Sequence, residues 1–447
     1  MATLLRIAVR NLLLHRRRNG LLAAAIALVT ALLVTLLGLS AGMNHTMLRA
    51  ATTLATGHVN VAGFYKITSG SAGAVLLEPE ALRALINEHV DGVDYIIDRV
   101  RGFSRVVSDT ASFQTGVYGV NIDQERGLKQ VLKLAPRSSY EAGGPESVEG
   151  NIDELGKPDT ILIFADQAER LGVRVGDTIT LSTPTWRGVY NSVDLRVVAV
   201  CKNVGFMSAY NVYIPAETLR RVYQLTPAAT GAIQIYLDDA RKAREVESVL
   251  RRELAKTDYR LMEPQSDPFW MKLPQIQGED WTGQKIDVTT WEDEISFMLW
   301  TVDTFDALSV VLVSVLLVLI VVGILNTLWI AVRERTSEIG TMRAIGMSRA
   351  RVASLIFVEA GVLGAVAAIV GALAAGGIAA TVNAAEIEVS NKAFQLFVMS
   401  DTLGLLVKPS TALSSAITIA IVTTVAAVAP AVRAARMRPV TAMHHVG

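Results

Sequence analysis

Four long apolar runs interrupt an otherwise mixed chain. The first, residues 21–40, is about 20 residues without a charge, enough to cross a bilayer. The second, 307–332, stays uncharged until Arg333. The third, 355–382, is rich in Ala and Gly, and small residues such as Gly364, Ala368, Gly371, Ala375 and Gly376 let helices approach closely in lipid. It holds one acid, Glu359, near its start. The fourth, 411–432, carries Pro430 near its end. Ahead of the first run, Leu5, Ala8, Val9 and Leu12 share one helical face while Arg6, Arg10 and Arg17 share another. This is the pattern of a helix lying on a membrane surface, or of a basic flank that orients the next span.

The stretch from 44 to about 300 shows shorter periods. A strand is expected at 56–64 and a helix at 78–90. Residues 91–120 alternate β-branched stretches with Gly and Asp breaks, which predicts several strands. Residues 138–156, rich in Ser, Gly, Pro and Glu, predict a loop or subdomain boundary. ILIF, TITLS, VDLRVVAV and NVYI between 160 and 213 predict more strands, with a short helix at 166–171. A helix at 216–225, a strand at 232–237 and a helix at 239–256 follow. Trp270, Trp281, Trp291 and, just past the stretch, Trp300 cluster around 263–291 with Pro264, Pro268 and Pro274. Such an irregular aromatic segment is an interfacial anchor or ordinary domain packing.

Composition agrees with spans plus a large soluble part. Hydrophobic residues make up 51% of the 447 residues and mean hydropathy is +0.38. Lys+Arg and Asp+Glu are 42 each, which argues against a nucleic-acid binder. Cys201 is the single cysteine, so no intrachain disulfide exists and a buried apolar role is expected.

Charge then orients the spans. The N-terminus, the 333–351 connection and the tail (Arg433, Arg436, Arg438) carry clustered arginines. The 383–410 connection has only Lys392 and Lys408, with Glu386, Glu388 and Asp401. Clustered arginines mark cytoplasmic loops, so both termini lie inside. The 44–300 domain exceeds the roughly 60-residue limit of that rule and lies outside. A cleaved signal peptide is the competing reading of the first run, but its length favours a span. The expected fold class is membrane α-helical, four transmembrane helices with a large α+β extracytoplasmic domain between the first and second. The division is an interfacial helix at 1–19, spans at 20–41, 304–332, 352–382 and 411–433, a two-lobed domain at 42–303, a cytoplasmic connection at 333–351, an external loop at 383–410 and a cytoplasmic tail at 434–447.

Motifs for chemistry are missing. GEDWTGQK at 278–285 places Gln284 where a phosphate-binding lysine is needed. No metal or nucleophile motif appears; His444 and His445 are adjacent at the tail, and His15, His45, His58 and His89 are scattered. The chain is expected not to be an enzyme, and to hold no metal or cofactor. An acid within a span is costly, so Glu359 is expected either to pair with an arginine of the 333–351 connection or to act in coupling. Arg335 and Glu338, at i, i+3 spacing, are placed to pair. Gly340 and Gly346 allow a break.

The connection VRERTSEIGTMRAIGMSRAR at 332–351 resembles the cytoplasmic segment of ABC-transporter permeases related to the macrolide-export, lipoprotein-releasing and cell-division permeases. Their pattern R-x-R-x-x-E-I-G-x-x-R-A-x-G-x-[ST] is matched by Arg333, Arg335, Glu338, Ile339, Gly340, Arg343, Ala344, Gly346 and Ser348. FVEA at 357–360 and the tail from 430 to 443 are similar too. Thr56-Gly57-His58-Val59 and Thr290-Trp291-Glu292 lean toward the lipoprotein-releasing branch. The resemblance implies that 333–351 is a coupling helix seated in a separate ATPase dimer, with Arg333, Arg335, Glu338, Ile339, Gly340, Arg343, Gly346, Ser348 and Glu359 serving the coupling. ATP and Mg would sit on that partner. A second permease copy or paralogue would complete the assembly in a bacterial inner membrane. Closure of the ATPases would move the external domain, mechanotransmission, to extract or release lipoproteins or similar amphiphiles. The alternatives are export from the periplasm with an adaptor and outer-membrane partner, and regulation of a cell-wall hydrolase.

Overall fold

The protein is described by a computed structural model covering residues 2–14, 16–68, 72–185, 188–387, 389, 395, 400 and 402–437. His15, Glu388, Lys392, Asp401, Arg438, His444 and His445 lie outside the described residues. The chain opens with α1 (Ala2–Leu14) and α2 (Arg16–Ala51), the latter ending in a π-helical turn at Thr52–Thr56. There follow β1 (Val59–Lys66), α3 (Pro79–His89), β2 (Val93–Val107), β3 (Ser112–Val120), α4 (Leu128–Val131), β4 (Thr160–Phe164) and α5 (Ala165–Leu171). Next come β5 (Thr178–Pro184), β6 (Tyr190–Cys201), α6 (Gly205–Tyr210), β7 (Asn211–Pro215), α7 (Ala216–Tyr223), β8 (Ala232–Leu237) and α8 (Ala243–Leu254). Then β9 (Arg260–Leu261), α9 (Phe269–Gly278), β10 (Gly283–Thr290) and α10 (Trp291–Glu294) lead to α11 (Ser296–Glu334), α12 (Thr336–Ala344), α13 (Arg349–Ala384), α14 (Pro409–Ala426) and α15 (Val428–Ala435).

Two compact units result, one of Met1–His45, Asp303–Ile387 and Leu403–Gly447, the other of Thr46–Val302 and Glu388–Thr402. In the first unit, α2 with its terminal turn, α11, α13, and α14 with α15 are each long and apolar enough to cross a membrane. Leu22, Ile26, Leu33, Val34, Ile320, Ile324, Ala367, Ala368 and Ile419 form the core of the first unit. A Cβ at Gly371 would overlap the Ala27 carbonyl of α2, so glycine there permits backbone-to-backbone approach. The fourth apolar run is two helices, α14 and α15, meeting at Ala427. Pro430 sits in the first turn of the second, where its missing N–H costs nothing. On α1, Ala8 is buried and Arg6 and Arg10 are exposed.

In the second unit, β2 belongs to two sheets. Its first half, Val93–Arg99, pairs antiparallel with β8, and β8, β1, β10 and β9 continue outward. This sheet is covered by α3 and α8 around Val61, Leu82, Ile86, Ile235, Val246 and Leu250. The second half, Val100–Val107, pairs with β3, and its last residues also pair with β5. The order β2, β3, β7, β4, β6, β5 and back to β2 closes on itself around Val106, Val117, Ile161, Ile163, Leu181, Val197 and Val212. The lobe boundary is therefore inside β2. The segment 138–156, expected as a loop or subdomain boundary, is a loop with short helical turns that packs on the closed sheet through a bridge from Gly150 to Ala199. Residues 91–120 form two long strands rather than several short ones. Cys201 is buried in the neighbouring core, and burial pushes its thiol up to about 12.

Residues 263–291, expected to be irregular, contain α9 and β10. Trp281 packs with Phe64, Phe269 and Ile276, its ring under the ammonium groups of Lys66 and Lys285 at 5.1 and 4.6 Å. Trp291 packs against the sheet core. Trp270 and Trp300 stay exposed, at 37% and 60%. Domain packing thus accounts for two of the four.

The end of the first long helix is bound inside this unit. A helix leaves its last carbonyls without intrahelical partners, and here they are buried. Tyr236 donates its hydroxyl to Thr52 O at 2.9 Å. Arg99 donates to Thr53 O at 2.7 Å and Leu54 O at 2.6 Å. Tyr213 also reaches Leu54 O at 2.9 Å, and the Gln234 amide takes Ala55 O. Arg99, fully buried, is neutralised by Glu125 through Nε–Oε1 at 2.9 Å and Nη2–Oε2 at 2.7 Å. Removing one member of such a pair strands a buried charge. Arg99→Met should therefore cost about 3–5 kcal/mol, read from the urea midpoint of the full-length protein. The double change Arg99→Met/Glu125→Leu should recover part of that loss, the Thr53 carbonyl remaining without its donor.

Candidate functional site

The 333–351 connection has an anchored base and a bare tip. Arg335 ends α11 and begins α12, with φ −99° and ψ 18°. Its guanidinium does not turn to Glu338, as spacing suggested; Nη1 donates to Glu359 Oε2 at 3.0 Å and Oε1 at 3.3 Å. Asn11 of α1 donates to the same Oε1 at 2.6 Å, and Asn11 O accepts from Arg335 Nη2 at 3.4 Å. The Arg335 and Glu359 side chains are each 13% exposed. A carboxylate inside an apolar helix is thus neutralised by the connection and fixed by the first helix. Of the two pairings expected from the sequence, Arg335 with Glu338 and Glu359 with an arginine of the connection, the fold makes the second. Asn11 carried no sequence signal for this, because a single asparagine on a surface helix is unremarkable.

Ile339 and Gly340 are buried with Val332, Val352, Ala434 and Ala435. Gly340 lies in mid-helix, so the break expected there does not occur: side-chain packing below α12 outweighs the roughly 1 kcal/mol helix cost of glycine. The chain turns instead at Gly346, whose φ of +98° suits glycine alone. Ser348 then caps α13, accepting from Arg351 N at 3.4 Å. Arg343 braces the turn by donating to Met347 O at 3.1 Å. Arg333, Glu338, Thr341, Gly346 and Ser348 face outward, as does Ile345, 82% exposed. The tip thus exposes Ile345 beside a glycine turn and the Glu338 carboxylate, which makes no ion pair among the described residues.

In the second unit, a cleft of about 430 Å³ is lined by Phe103, Tyr118, Phe206, Tyr210, Phe269, Trp270 and Phe297, with Glu294 on its wall. Phe206 and Phe297 meet at 4.7 Å, and Trp270 stands edge-on to Phe297 at 5.5 Å. Glu294 is held by Thr289 Oγ1 at 2.9 Å and by Phe269 N at 3.3 Å. Phe206 and Tyr210 were not singled out from sequence, since α6 is too short to show a period.

The two short sequence signatures flanking the domain touch. His58 O accepts from Trp291 N at 3.1 Å, and Thr290 is bonded to Asp293 at 2.8 Å through both N–H and hydroxyl. His58 Nδ1 accepts from Leu237 N at 2.9 Å, a bond open only to the neutral tautomer with Nδ1 bare.

Comparison with family models matches residues 310–439 to the FtsX-like permease C-terminal model and residues 20–253 to the MacB-like periplasmic core domain. A search of curated proteins finds no match. Among solved structures, the extracellular domain of the noncanonic ABC-type transporter YknZ from Gram-positive bacteria is similar at 14% identity, over 44% of this chain and 93% of that one, with a TM-score of 0.28. The periplasmic region of MacB from Actinobacillus actinomycetemcomitans is similar at 14% identity, over 54% and 94%, with a TM-score of 0.30. A domain of a putative permease from Porphyromonas gingivalis is similar at 14% identity, over 52% and 88%, with a TM-score of 0.26.

Two outcomes follow from the geometry. A double-mutant cycle on Arg335→Ala and Glu359→Ala, read by thermal unfolding of the purified chain, should give a coupling energy of about 1–3 kcal/mol; additive effects would place the two groups apart. For His58, burial lowers the pKa below 6.5 and the Leu237 N–H reinforces the neutral ring. Stability from this group is complete above 6.5, the unfolded value, and is lost as pH falls from there toward the folded value. The melting temperature should therefore fall between about pH 7 and pH 5, with a shallower slope in His58→Gln.

Proposed function

Because the chain belongs to the family of ABC-transporter permeases that join an FtsX-like membrane region to a MacB-like periplasmic core domain, we propose that its α12 connection is the seat of a separate ATPase. Permeases of this family work with ABC ATPase partners, and this chain is the permease component. The observation that carries the proposal is the contrast within 333–351. Ile339 and Gly340 are packed inward, Arg335 is locked to Glu359, and Glu338, Ile345, Gly346 and Ser348 are offered outward.

In this reading, ATP and Mg act on the partner, and closure of an ATPase dimer drives the connections of two permeases, copies or paralogues, toward each other. Arg335 and Glu359 make α12, α13 and α1 move together. The force passes along α2, whose last carbonyls are held by Arg99, Tyr213, Tyr236 and Gln234. The moving domain would act on lipoproteins or similar amphiphiles at the outer face of a bacterial inner membrane. The aromatic cleft around Phe206, Trp270 and Phe297 suits an apolar chain, which is why this cargo is preferred to an adaptor-linked exporter or a hydrolase regulator.

Ile345→Asp and Glu338→Lys should lower recovery of the co-expressed ATPase at least tenfold. Melting should stay unchanged, since exposed substitutions usually shift stability by less than about 0.5 kcal/mol. Retention of the ATPase by both variants sinks the coupling assignment. Photo-crosslinkers at Tyr210 and Trp270 should label acylated proteins or lipid; labelling of a hydrolase or adaptor instead would replace the cargo assignment.

A further inference from the structure

Where the two lobes diverge, the second unit holds a cleft of about 880 Å³. It is lined by Tyr95, Ile96, Ile97 and Asp98 of β2 and by Val120 and the turn Asn121–Gln124 that follows β3. A sheet face contributes alternate residues to a cavity, so four consecutive β2 residues mean that β2 meets the cleft along its edge.

The hydrogen-bond directions agree. Ile235, the partner of Ile96 on β8, gives its carbonyl to His58 N at 3.0 Å, on the β1 side. Ile96 and Ile235 are therefore a non-hydrogen-bonded pair, and Ile96 aims its N–H and C=O away from β8. Asp98, two residues on, does the same. Further along β2, Phe103 O accepts from Thr183 of β5 at 2.8 Å, on the same side as β8, so β3 covers the opposite edge from Val100 to Val107. At Val120 the chain leaves that line. Among the described residues, no strand covers Ile96 and Asp98 on the edge that β3 has vacated.

We propose that this edge receives an extended basic peptide segment of a second protein, added as a strand in line with β3. Edge pairing supplies main-chain hydrogen bonds, and the flanking walls select side chains. Two lining arginines are already used: Arg83 pairs with Asp98 and Arg126 with Asp94. Glu80, Asp123 and Glu217 line the cleft without an ion pair among the described residues, and Arg220 alone offsets them, so lysine or arginine side chains are favoured. The turn Asn121–Gln124 runs directly into Glu125, the partner of Arg99 at the helix end, so an occupant rests on the joint that holds α2. The inference uses only this unit and stands apart from the ATPase reading; its test is run without nucleotide or partner.

The probe is a displayed library of linear seven-residue peptides, selected against the full chain in nanodiscs. Selected peptides should be enriched in Lys or Arg and weaken with salt. N-methylation of alternate amides should cut binding at least tenfold in one register and little in the other. Ile96→Pro deletes only the N–H aimed at the cleft and leaves the β8 ladder intact; it should lose tenfold or more, while Ile96→Val binds like the parent. Should Ile96→Pro misfold, the N-methyl series on the parent chain decides. No selected peptide, no register dependence, acidic selections, or an Ile96→Pro chain that folds and binds normally each overturn the proposal. Self-association abolished by Ile96→Pro without peptide binding would assign the edge to a second copy and overturn it as well.

Discussion

The burial of a helix end governs the second unit. Thr52 O accepts from Gly57 N at 2.7 Å, but the carbonyls of Thr53, Leu54 and Ala55 lie in buried residues, so each must find a donor or lose about 1–3 kcal/mol. The donors come from three strands: Arg99 on β2, Tyr213 on β7, and Gln234 and Tyr236 on β8. Because Arg99 is charged, it in turn requires Glu125. One unmet need of the backbone thus recruits both lobes, and β2, shared by the two sheets, passes through the point where they are tied.

A second charged pair organises the other unit. Arg335 and Glu359 meet in a mostly apolar setting, where each would be costly alone. Their pairing, with Asn11 completing it, joins the connection, the third run and the surface helix. What is left exposed in 333–351 is then a small tip of fixed shape.

The sequence pattern was most informative where one physical rule acted alone. Long apolar runs name spans because lipid admits little else, and β8, buried along its whole length, was legible as a strand from AIQIYL. The pairing of Glu359 with an arginine of the connection was legible as well; what was not is that Arg335 forgoes Glu338, three residues away, to make it. Legibility failed where a local preference competed with a distant one. Gly340 is a poor helix residue but is needed small and buried. Residues 263–291 looked irregular because Pro264, Pro268 and Pro274 mask α9, and β10 owes its existence to β1 alongside it.

Apolar length, arginine placement and the 333–348 motif by themselves determined the class of protein, its spans and its orientation, because insertion into a membrane depends on hydrophobicity and charge summed over short stretches. They also placed the coupling candidates, Glu359 apart, in one short connection. Only the tertiary structure decided which of those residues anchor and which are offered, which donors close the end of the first helix, and where β3 leaves β2 with an uncovered edge. These depend on groups far apart in the chain, Asn11 with Glu359 or Leu54 with Tyr213, whose meeting is fixed by packing and by the need to satisfy buried polar atoms.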